Sequence, residues 1–173
     1  MKSVFLSAGH GGTDQGAVAN GRREADIAVE FRNIVAFYLQ RAGIEHELDG
    51  HGTENLPLRE AVKRARYHPI GVEFHCNAAA NTTATGAETL SGPQDIQLAD
   101  RTTAAPAGAL GIRDRGAKPE NAGQHHRLAF VQAGGIIVEL FFITNPADLA
   151  AYDARKWVAA RDVASVLIEA AQS

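Results

Sequence analysis

Residues 3–12 read SVFLSAGHGG, and this stretch decides the type of fold that the rest of the chain must complete. Positions 4–6, Val-Phe-Leu, form a continuous apolar run, which is typical of a strand buried on both faces. The run ends in Ala8 and a glycine-rich segment that contains His10, a composition typical of a flexible loop. A core strand that opens directly into such a loop provides a position for chemically active side chains.

Helices and strands alternate along the rest of the chain. Glu24 to about Ala42 carries apolar residues at three- and four-residue spacing, which predicts an amphipathic helix that Gly43 closes. A second helix is predicted from a cap at Asn55 to Tyr67, and a closing helix from Trp157 to Ala170. The other predictions are strands at 44–48, 70–76, 86–90 and 135–142, a moderately helical stretch at 94–110 and a polar surface stretch at 111–127.

This alternation predicts an α/β fold. We expect a twisted, mostly parallel or mixed sheet of about five to six strands with helices on both faces. The length of 173 residues fits one domain, so we expect residues 1–173 to form a single domain.

The composition excludes several classes of protein. Hydrophobic residues at 45% and charged residues at 21% are typical of a globular chain and exclude disorder. A net charge of -3 argues against a nucleic-acid partner. The single cysteine, Cys76, allows neither an intramolecular disulfide nor a Cys-based zinc site, so a metal would need His and carboxylate ligands. We find no membrane-spanning run and no signal peptide, and therefore expect synthesis in the cytoplasm and no membrane insertion.

Polar residues lie at or just past the ends of three predicted core strands: His10 after the first, His75 in the second and Glu139 in the last. Sites in open α/β sheets form at this edge. Glu24, at the start of the helix that leaves the first loop, could join them. Two histidines and one carboxylate with an open position are the ligands of a catalytic zinc site, where the pKa of bound water falls to about 7. The other carboxylate would accept the proton from that water.

Three of these residues also have ordinary structural interpretations. His10 could be a loop histidine beside glycines, and His75 a buried histidine bound to a backbone carbonyl. Glu24 in a first helical turn could simply interact with the helix dipole, and Asp26 and Glu30 compete with it as ligands.

Glu139 is harder to explain in structural terms. It interrupts the apolar run IIVELFF at 136–142, where a buried carboxylate without a partner costs several kcal/mol. It must therefore pair, bind a metal or line a cavity, and a purely structural salt bridge is the alternative.

Five segments resemble, in the same order, the motifs of the zinc-dependent N-acetylmuramoyl-L-alanine amidases. The first, SAGHGGTDQGAVANGRREADIA at 7–28, is similar to the family's Asp-Pro-Gly-His-Gly-Gly strand exit followed by a Gly and a Glu at the next helix. EFHCNAA at 73–79 resembles its Ser-Ile-His-Ala-Asn-Ala. The remaining segments are GAETL at 86–90, DRGAK at 114–118 and IIVELFFITNPADLAAY at 136–152, and the resemblance spans residues 3 to 170.

The resemblance implies that His10, Glu24 and His75 bind one zinc ion per chain and that Glu139 is the catalytic carboxylate. The implied reaction is hydrolysis of the amide that joins the lactyl group of N-acetylmuramic acid to L-alanine of the stem peptide. In that reaction Glu139 would accept the proton of water and pass it to the departing amine.

The chain departs from the family motifs at four points. Ser7-Ala8 replaces Asp-Pro, which could remove an acidic partner of His10. Glu73 stands where the family often has Ser, on the same strand face as His75, and could be a hydrogen-bond acceptor for that ligand or an additional titrating group at the mouth of the site. Cys76 should point into the packing. Phe141 replaces a Gly and could reshape the groove floor near Glu139.

Four further residues are candidates for substrate binding. Arg115 and Lys118 could bind stem-peptide carboxylates, since a guanidinium grips a carboxylate through two hydrogen bonds. His126, beside His125 after a glycine-rich loop, could line the groove. Asn77 is the fourth residue that we predict to bind substrate. A solvated surface is the alternative for the charged and imidazole side chains.

The resemblance predicts a peptidoglycan hydrolase that acts on the wall or on muropeptides as a monomer. The resemblance implies that residues 1–173 are a single catalytic domain without a wall-binding domain, which resembles a phage endolysin released to the wall for lysis. Two alternatives stay open. One is a zinc peptidase that cuts elsewhere in the stem peptide or cross-bridge, and the other is a non-catalytic peptidoglycan-binding module.

Overall fold

A mixed sheet forms the centre of the structure, a computed structural model that describes residues 1–122 and 127–173. Within these residues the sheet has six strands in the order β4-β1-β5-β8-β6-β7. Their bounds are β1 Val4–Ala8, β4 His46–Leu48, β5 Ile70–Asn77, β6 Ala87–Ser91, β7 Asp114–Pro119 and β8 Gly135–Phe142. Neighbours are parallel except β6 and β8, so β6 and β7 run against the other four. The pair β2 (Val18–Ala19) and β3 (Arg22–Arg23) forms a short hairpin.

Helices cover both faces of the sheet, and the α/β prediction is confirmed. Alternate residues of β1 face opposite sides: Val4 and Leu6 enter the larger core, and Phe5 enters the smaller one. The larger core is formed with α1 (Glu24–Arg41), α3 (Ile96–Leu110) and α5 (Pro146–Gln172). The smaller is formed with α2 (Leu58–Ala65) and α4 (Ala129–Gln132). None of the helices in the described ranges is long and apolar enough to cross a membrane.

Two expected element boundaries are wrong at helix starts. Asn55 does not cap α2, which begins after Pro57 and ends at Ala65, because the Asn55 side chain is bound to the loop after β1. The closing helix begins at Pro146 instead of Trp157. Asn145 caps it, since its Oδ1 accepts hydrogen bonds from the backbone N–H groups of Ala147 and Asp148.

The surface stretch expected at 111–127 contains a strand that its composition did not indicate. Strand β7 pairs with β6 at the edge of the sheet and is only partly buried. An edge strand needs no continuous apolar run, because one side of its backbone and much of its side-chain surface face solvent. Its polar sequence therefore concealed it.

A bulge near the end of β8 overturns the expectation that Phe141 shapes the groove floor. The pairing with β5 shifts between His75, which faces Glu139, and Asn77, which faces Phe142. The extra residue sends Phe141 into the larger core, fully buried and stacked on Tyr152. Phe142 instead lies under the guanidinium of Arg115, 5.1 Å from its ring centre.

Candidate active site

The site forms where three strands end at one edge of the sheet. Strand β1 runs into the loop that carries His10, and His75 lies near the end of β5. Glu139 of β8 is paired in register with His75 on one side and with Glu88 of β6 on the other. Because β6 runs in the opposite direction, Glu88 at its start reaches the same edge.

His10, Glu24 and His75 converge, as the sequence predicts. Oε1 of Glu24 lies 3.0 Å from Nε2 of His10 and 3.0 Å from Nδ1 of His75. One ligand atom from each residue lies within 4.8 Å of the other two. The competing carboxylates are engaged elsewhere, Asp26 with Arg23 and Glu30 with Tyr152.

Helix α1 places Glu24 at its first position, and the backbone holds both carboxylate oxygens. The N–H of Cys76 donates to Oε1 at 3.0 Å, and the N–H of Ala17 donates to Oε2 at 2.9 Å. The Cys76 side chain points into the larger core, as expected. Glu24 is 4% exposed, so this fixed carboxylate lies deep in the site.

Charge within the cluster shifts the pKa values of all three residues. Burial alone would raise the pKa of Glu24, but hydrogen bonds from His10 and His75 hold it well below its usual range. The hydrogen bond to Glu24 raises the pKa of His10 against the effect of burial. Burial opposes the charged form of His75, yet Glu24 and Glu73 raise its pKa well above the usual value. The two imidazoles therefore face the anionic carboxylate of Glu24, an arrangement in which a cation could bind all three residues.

Each histidine has a second carboxylate on its other ring nitrogen. Nδ1 of His10 lies 2.9 Å from Oδ2 of Asp14, and Nε2 of His75 lies 3.1 Å from Oε1 of Glu73. A carboxylate behind a ligating histidine fixes the ring orientation and the ring proton in many metal sites. Asp14 thus provides an acidic partner for His10 from another position of the chain, and Glu73 lies within hydrogen-bond distance of His75, as predicted.

The loop after β1 has a backbone conformation that is costly at His10 and sterically restricted at Gly9. His10 has a φ of 65°, in the left-handed region that costs a non-glycine residue roughly 1 kcal/mol or more. Asn55 holds this conformation, because its Nδ2 donates to the carbonyls of Ala8 and His10. Gly9 passes over the His75 ring so closely that a Cβ there would lie 2.2 Å from it.

Glu139 has the environment of a reactive carboxylate. Its Oε2 is shielded from solvent and lacks a hydrogen-bond partner among the described residues. Burial raises its pKa to about 7, and the negative charges of Glu24 and Glu88 act in the same direction. The described residues provide no salt-bridge partner for it, which removes the structural alternative over that part of the chain.

A carboxylate, an amide and a guanidinium form one wall beside Glu139. Glu88 accepts hydrogen bonds from Asn77 Nδ2 at 2.8 Å and from Arg115 Nε at 2.6 Å. Glu88 is thus held by two donors, whereas Oε2 of Glu139, its partner in the β6–β8 register, lacks a hydrogen-bond partner among the described residues. Lys118 lies on β7, where it is paired with Leu90 of β6. Strand β6 therefore separates it from Glu139 on β8.

Two cavities meet at the cluster. One, of about 500 Å³, extends from His10 and His75 past Asn55 towards the start of α2. The other, of about 420 Å³, extends from the same histidines past Glu139 and Glu88 towards Phe130. Lys118 and Arg115 are absent from the described lining of both cavities. His126, also predicted to bind substrate, lies outside the residues that the structure describes.

An α/β domain with two imidazoles and buried carboxylates at the strand ends belongs to the class of hydrolase scaffolds with a candidate metal centre. The chain matches the N-acetylmuramoyl-L-alanine amidase family over residues 4–169. It therefore belongs to this family of enzymes, which hydrolyse an amide bond of peptidoglycan. The predicted family and enzyme class are confirmed.

Relatives and solved structures agree with this membership. The chain is 31% identical over 154 residues to uncharacterized protein YqiI of Bacillus subtilis (strain 168), covering 85% of this chain and 73% of YqiI. It is 27% identical to the amidase LytC of the same organism, and the match covers 85% of this chain but 30% of LytC. A putative N-acetylmuramoyl-L-alanine amidase from Neisseria meningitidis has 46% identity and a TM-score of 0.89, with 98% of this chain and 95% of that chain covered. The catalytic domain of CwlV, at 23% identity and a TM-score of 0.85, shares the fold, with 98% of each chain covered.

Proposed function

We propose that this chain is a zinc-dependent amidase that cleaves between the lactyl group of N-acetylmuramic acid and L-alanine of the stem peptide. The observation that carries the proposal is the His10, Glu24 and His75 cluster beside a carboxylate oxygen of Glu139 that lacks a partner among the described residues. Two nitrogens and one oxygen are the donor set of catalytic zinc sites, so these residues fit the ion. One zinc ion per chain would bind them.

The chemistry divides between the ion and the protein. Bound at this cluster, zinc would polarise the scissile carbonyl and lower the pKa of water. Glu139 takes the proton of the attacking water on Oε2 and returns it to the departing amine nitrogen. Burial raises the pKa of Glu139 in the metal-free protein to about 7, and a raised pKa favours a carboxylate that both accepts and releases a proton.

Arg115 supplies a positive group for the stem peptide. Glu88 binds its Nε and the Phe142 ring supports its guanidinium, so the side chain is held in one orientation. No described residue accepts a hydrogen bond from its two terminal Nη groups, which leaves them available to a peptide carboxylate. Asn77 lies beside Arg115, because its Nδ2 donates to the same carboxylate of Glu88. Lys118 and His126 complete the predicted substrate-binding set.

Product analysis tests the bond that is cut. Digestion of purified peptidoglycan should leave intact glycan and release peptides with a new N-terminal L-alanine. Release of a D-amino acid, or opening of cross-links alone, would instead identify the zinc peptidase alternative. Absence of any product in zinc-loaded protein would favour the non-catalytic binding module.

Metal removal and one substitution test the mechanism. A chelator should abolish digestion, and added zinc should restore it. Glu139→Gln should lower the rate by about 100-fold or more while zinc still binds, because it removes the base and keeps the ligands. The exposed residue Glu60 provides the control, and Glu60→Gln should retain full activity. Digestion that continues unchanged in chelator would refute zinc dependence.

The proposal also includes a role in cell lysis and a monomeric state. Clearing of a wall suspension followed by turbidity tests the first, since a lytic enzyme must act on intact wall as well as on soluble muropeptides. Sedimentation of the zinc-loaded protein tests the second. Activity confined to soluble fragments would contradict the lytic role.

A further inference from the structure

A row of buried polar side chains runs from His75 away from the site to helix α1. Oε1 of Glu73 lies 3.1 Å from Nε2 of His75, and Oε2 of Glu73 accepts a hydrogen bond of 3.1 Å from the hydroxyl of Ser7. That hydroxyl also lies 2.9 Å from Oδ2 of Asp49. Asp49 in turn forms a salt bridge with Arg32 of α1. Four side chains thus connect the back of one histidine to the helix that also carries Glu24.

Burial makes the geometry of this row rigid. Arg32 and Asp49 are each 0% exposed, Ser7 is 1% exposed and Glu73 is 4% exposed. Charged groups removed from water persist only when each is paired and hydrogen-bonded. Asp49 meets this requirement with two donors, the guanidinium of Arg32 and the backbone N–H of Ala8, and it also contacts the hydroxyl of Ser7. Asp49 is therefore held in one position. Ser7, whose hydroxyl contacts both carboxylates, connects Asp49 to Glu73.

A row of this kind is a poor way to gain stability. Buried ion pairs commonly contribute no more to folding than apolar residues of the same volume would. The sheet around Ser7 is otherwise apolar, with Phe5, Leu6 and Ala8 all buried. Apolar residues at these positions could not form a hydrogen bond with the imidazole of His75, whereas Glu73 at the end of the row lies 3.1 Å from its Nε2.

The two histidines are supported very differently. Asp14 behind His10 has a side chain that is 68% exposed, whereas Glu73 behind His75 is buried and held by Ser7. They also present different nitrogens to Glu24, namely Nε2 of His10 and Nδ1 of His75. A neutral imidazole carries one ring proton, so an acceptor at Nε2 of His75 leaves the lone pair of Nδ1 directed at the cluster.

We propose that Ser7, Asp49 and Arg32 are positioning residues that act on the metal site through Glu73. They hold Glu73 so that it keeps the ring proton of His75 on Nε2 and the lone pair of Nδ1 towards Glu24. This inference rests on the proposed zinc site, and it assigns to these three residues a function that composition and motif did not indicate.

Zinc affinity of Ser7→Ala tests the proposal. The substitution removes the hydroxyl that joins Asp49 to Glu73 and changes the volume little. In a competition titration with a chromophoric chelator, we expect its zinc affinity to fall roughly 10-fold or more, with a similar loss for Glu73→Gln. Thr103→Val is the matched control, because it removes a buried hydroxyl that donates to Thr89 at 2.7 Å in a different part of the fold. It should bind zinc as the wild type does.

A second measurement reports on the imidazole itself. Nitrogen-15 spectra of histidine-labelled, zinc-loaded protein distinguish a protonated ring nitrogen from a metal-bound one. We expect the His75 proton on Nε2 in the wild type and its signal altered in Ser7→Ala. A purely structural role for Ser7 would lower the melting temperature of the metal-free protein and leave both readouts unchanged.

The outcomes separate this inference from the proposed function. If the wild type binds no zinc, the proposed metal site fails and the inference fails with it. If the wild type binds zinc and Ser7→Ala binds it equally well, the inference alone is overturned. A His75 proton on Nδ1 in the zinc-loaded wild type would overturn it as well.

Discussion

At the scale of single residues, the site depends on a glycine as much as on the ligands. A Cβ built at Gly9 would lie 2.2 Å to 2.5 Å from three ring atoms of His75, distances that real contacts do not reach. The loop that carries His10 can cross the His75 ring only because position 9 has no side chain. The two imidazoles, whose ring centres lie 4.9 Å apart, are brought together by this crossing.

Gly9→Ala should therefore displace the His75 ring and weaken zinc binding by roughly 10-fold or more. The measurement is a competition titration with a chelator, combined with the rate of peptidoglycan digestion. Gly108→Ala is the matched control, because a Cβ there in α3 meets nothing within 4 Å. It should leave zinc binding unchanged and raise the free energy of unfolding by about 0.5–1 kcal/mol. Wild-type zinc affinity in Gly9→Ala would contradict the steric argument.

Glu139 makes the stability of the metal-free protein depend on pH. Burial raises its pKa from 4.5 to about 7, so its folded value lies above its unfolded value. A raised pKa stabilises the fold fully below about pH 4.5, and this contribution is lost as the pH rises through about 7. Glu139→Gln removes the titration and keeps the shape of the side chain.

The variant should gain stability relative to the wild type as the pH rises from 5 to 8. Allowing for the partial exposure of the residue, we expect a relative gain of about 2 kcal/mol in the free energy of unfolding. Urea unfolding of the metal-free proteins at several pH values measures it. Glu60→Gln, at an exposed position, should show a difference from wild type that is constant with pH. A constant difference for Glu139→Gln would contradict the raised pKa.

The convergence of His10, Glu24 and His75 was predictable from the sequence, because each lies near a strand end or at a helix start that its neighbours make recognisable. The residues that support them were missed. Asp49 and Ser7 meet across 42 positions of the chain, and Asn55 reaches the carbonyl of His10 across 45. No local pattern indicates such contacts. Ser7 and Glu73 were recognised only as separate departures from the motifs, yet they are partners in the β1–β5 register and share a hydrogen bond.

At the scale of elements, the end of β8 is fastened to the first turn of α5 by Asp148. Its Oδ1 accepts a hydrogen bond of 2.6 Å from the hydroxyl of Thr85. Its Oδ2 accepts from the N–H groups of Gly86 at 3.1 Å and Phe142 at 3.2 Å. One buried carboxylate thus joins the start of β6 to the end of β8, the two strands that carry Glu88 and Glu139.

Asp148→Ala should leave these buried donors without an acceptor and lower the free energy of unfolding by about 3 kcal/mol or more. For a chain of this size the melting temperature should fall by roughly 10 °C. Asp162→Ala, further along the same helix at a partly exposed position, is the control and should change stability by about 0.5 kcal/mol or less. Thermal unfolding of both variants measures these changes. An unchanged melting temperature for Asp148→Ala would contradict this function of the carboxylate.

Elements were predictable where burial imposes a pattern on the sequence. Strand β8 was predicted with its observed bounds, since a central strand covered on both faces must be almost continuously apolar. Strand β7 was missed, because only its pairing with β6 makes it a strand. The early start of α5 was missed because the prediction followed the apolar spacing from Trp157 onwards, although a capping Asn145 followed by Pro146 also begins a helix.

At the scale of the whole molecule, two apolar cores cover the faces of the sheet, and charged side chains are concentrated where β1, β5 and β8 end. Glu24, Glu73, Glu88 and Glu139 all approach this edge. Arg115 pairs with Glu88, and the described cationic or protonatable groups beside the other three carboxylates are mainly His10 and His75. The modest net charge of -3 therefore conceals a local concentration of negative charge. Without a cation, these carboxylates repel one another in surroundings that screen them poorly.

Zinc should consequently stabilise the entire domain as well as activate it. An ion that binds the folded chain and not the unfolded one contributes about 2.7 kcal/mol when its free concentration is 100 times its dissociation constant. For this length of chain, that corresponds to a rise of about 5–10 °C in melting temperature. Thermal scans at increasing free zinc should show the rise, and chelator should reverse it. Glu139→Gln keeps the three ligands and its melting temperature should also rise with zinc, whereas a melting temperature independent of zinc in the wild type would mean that the cluster does not bind the ion in the folded state.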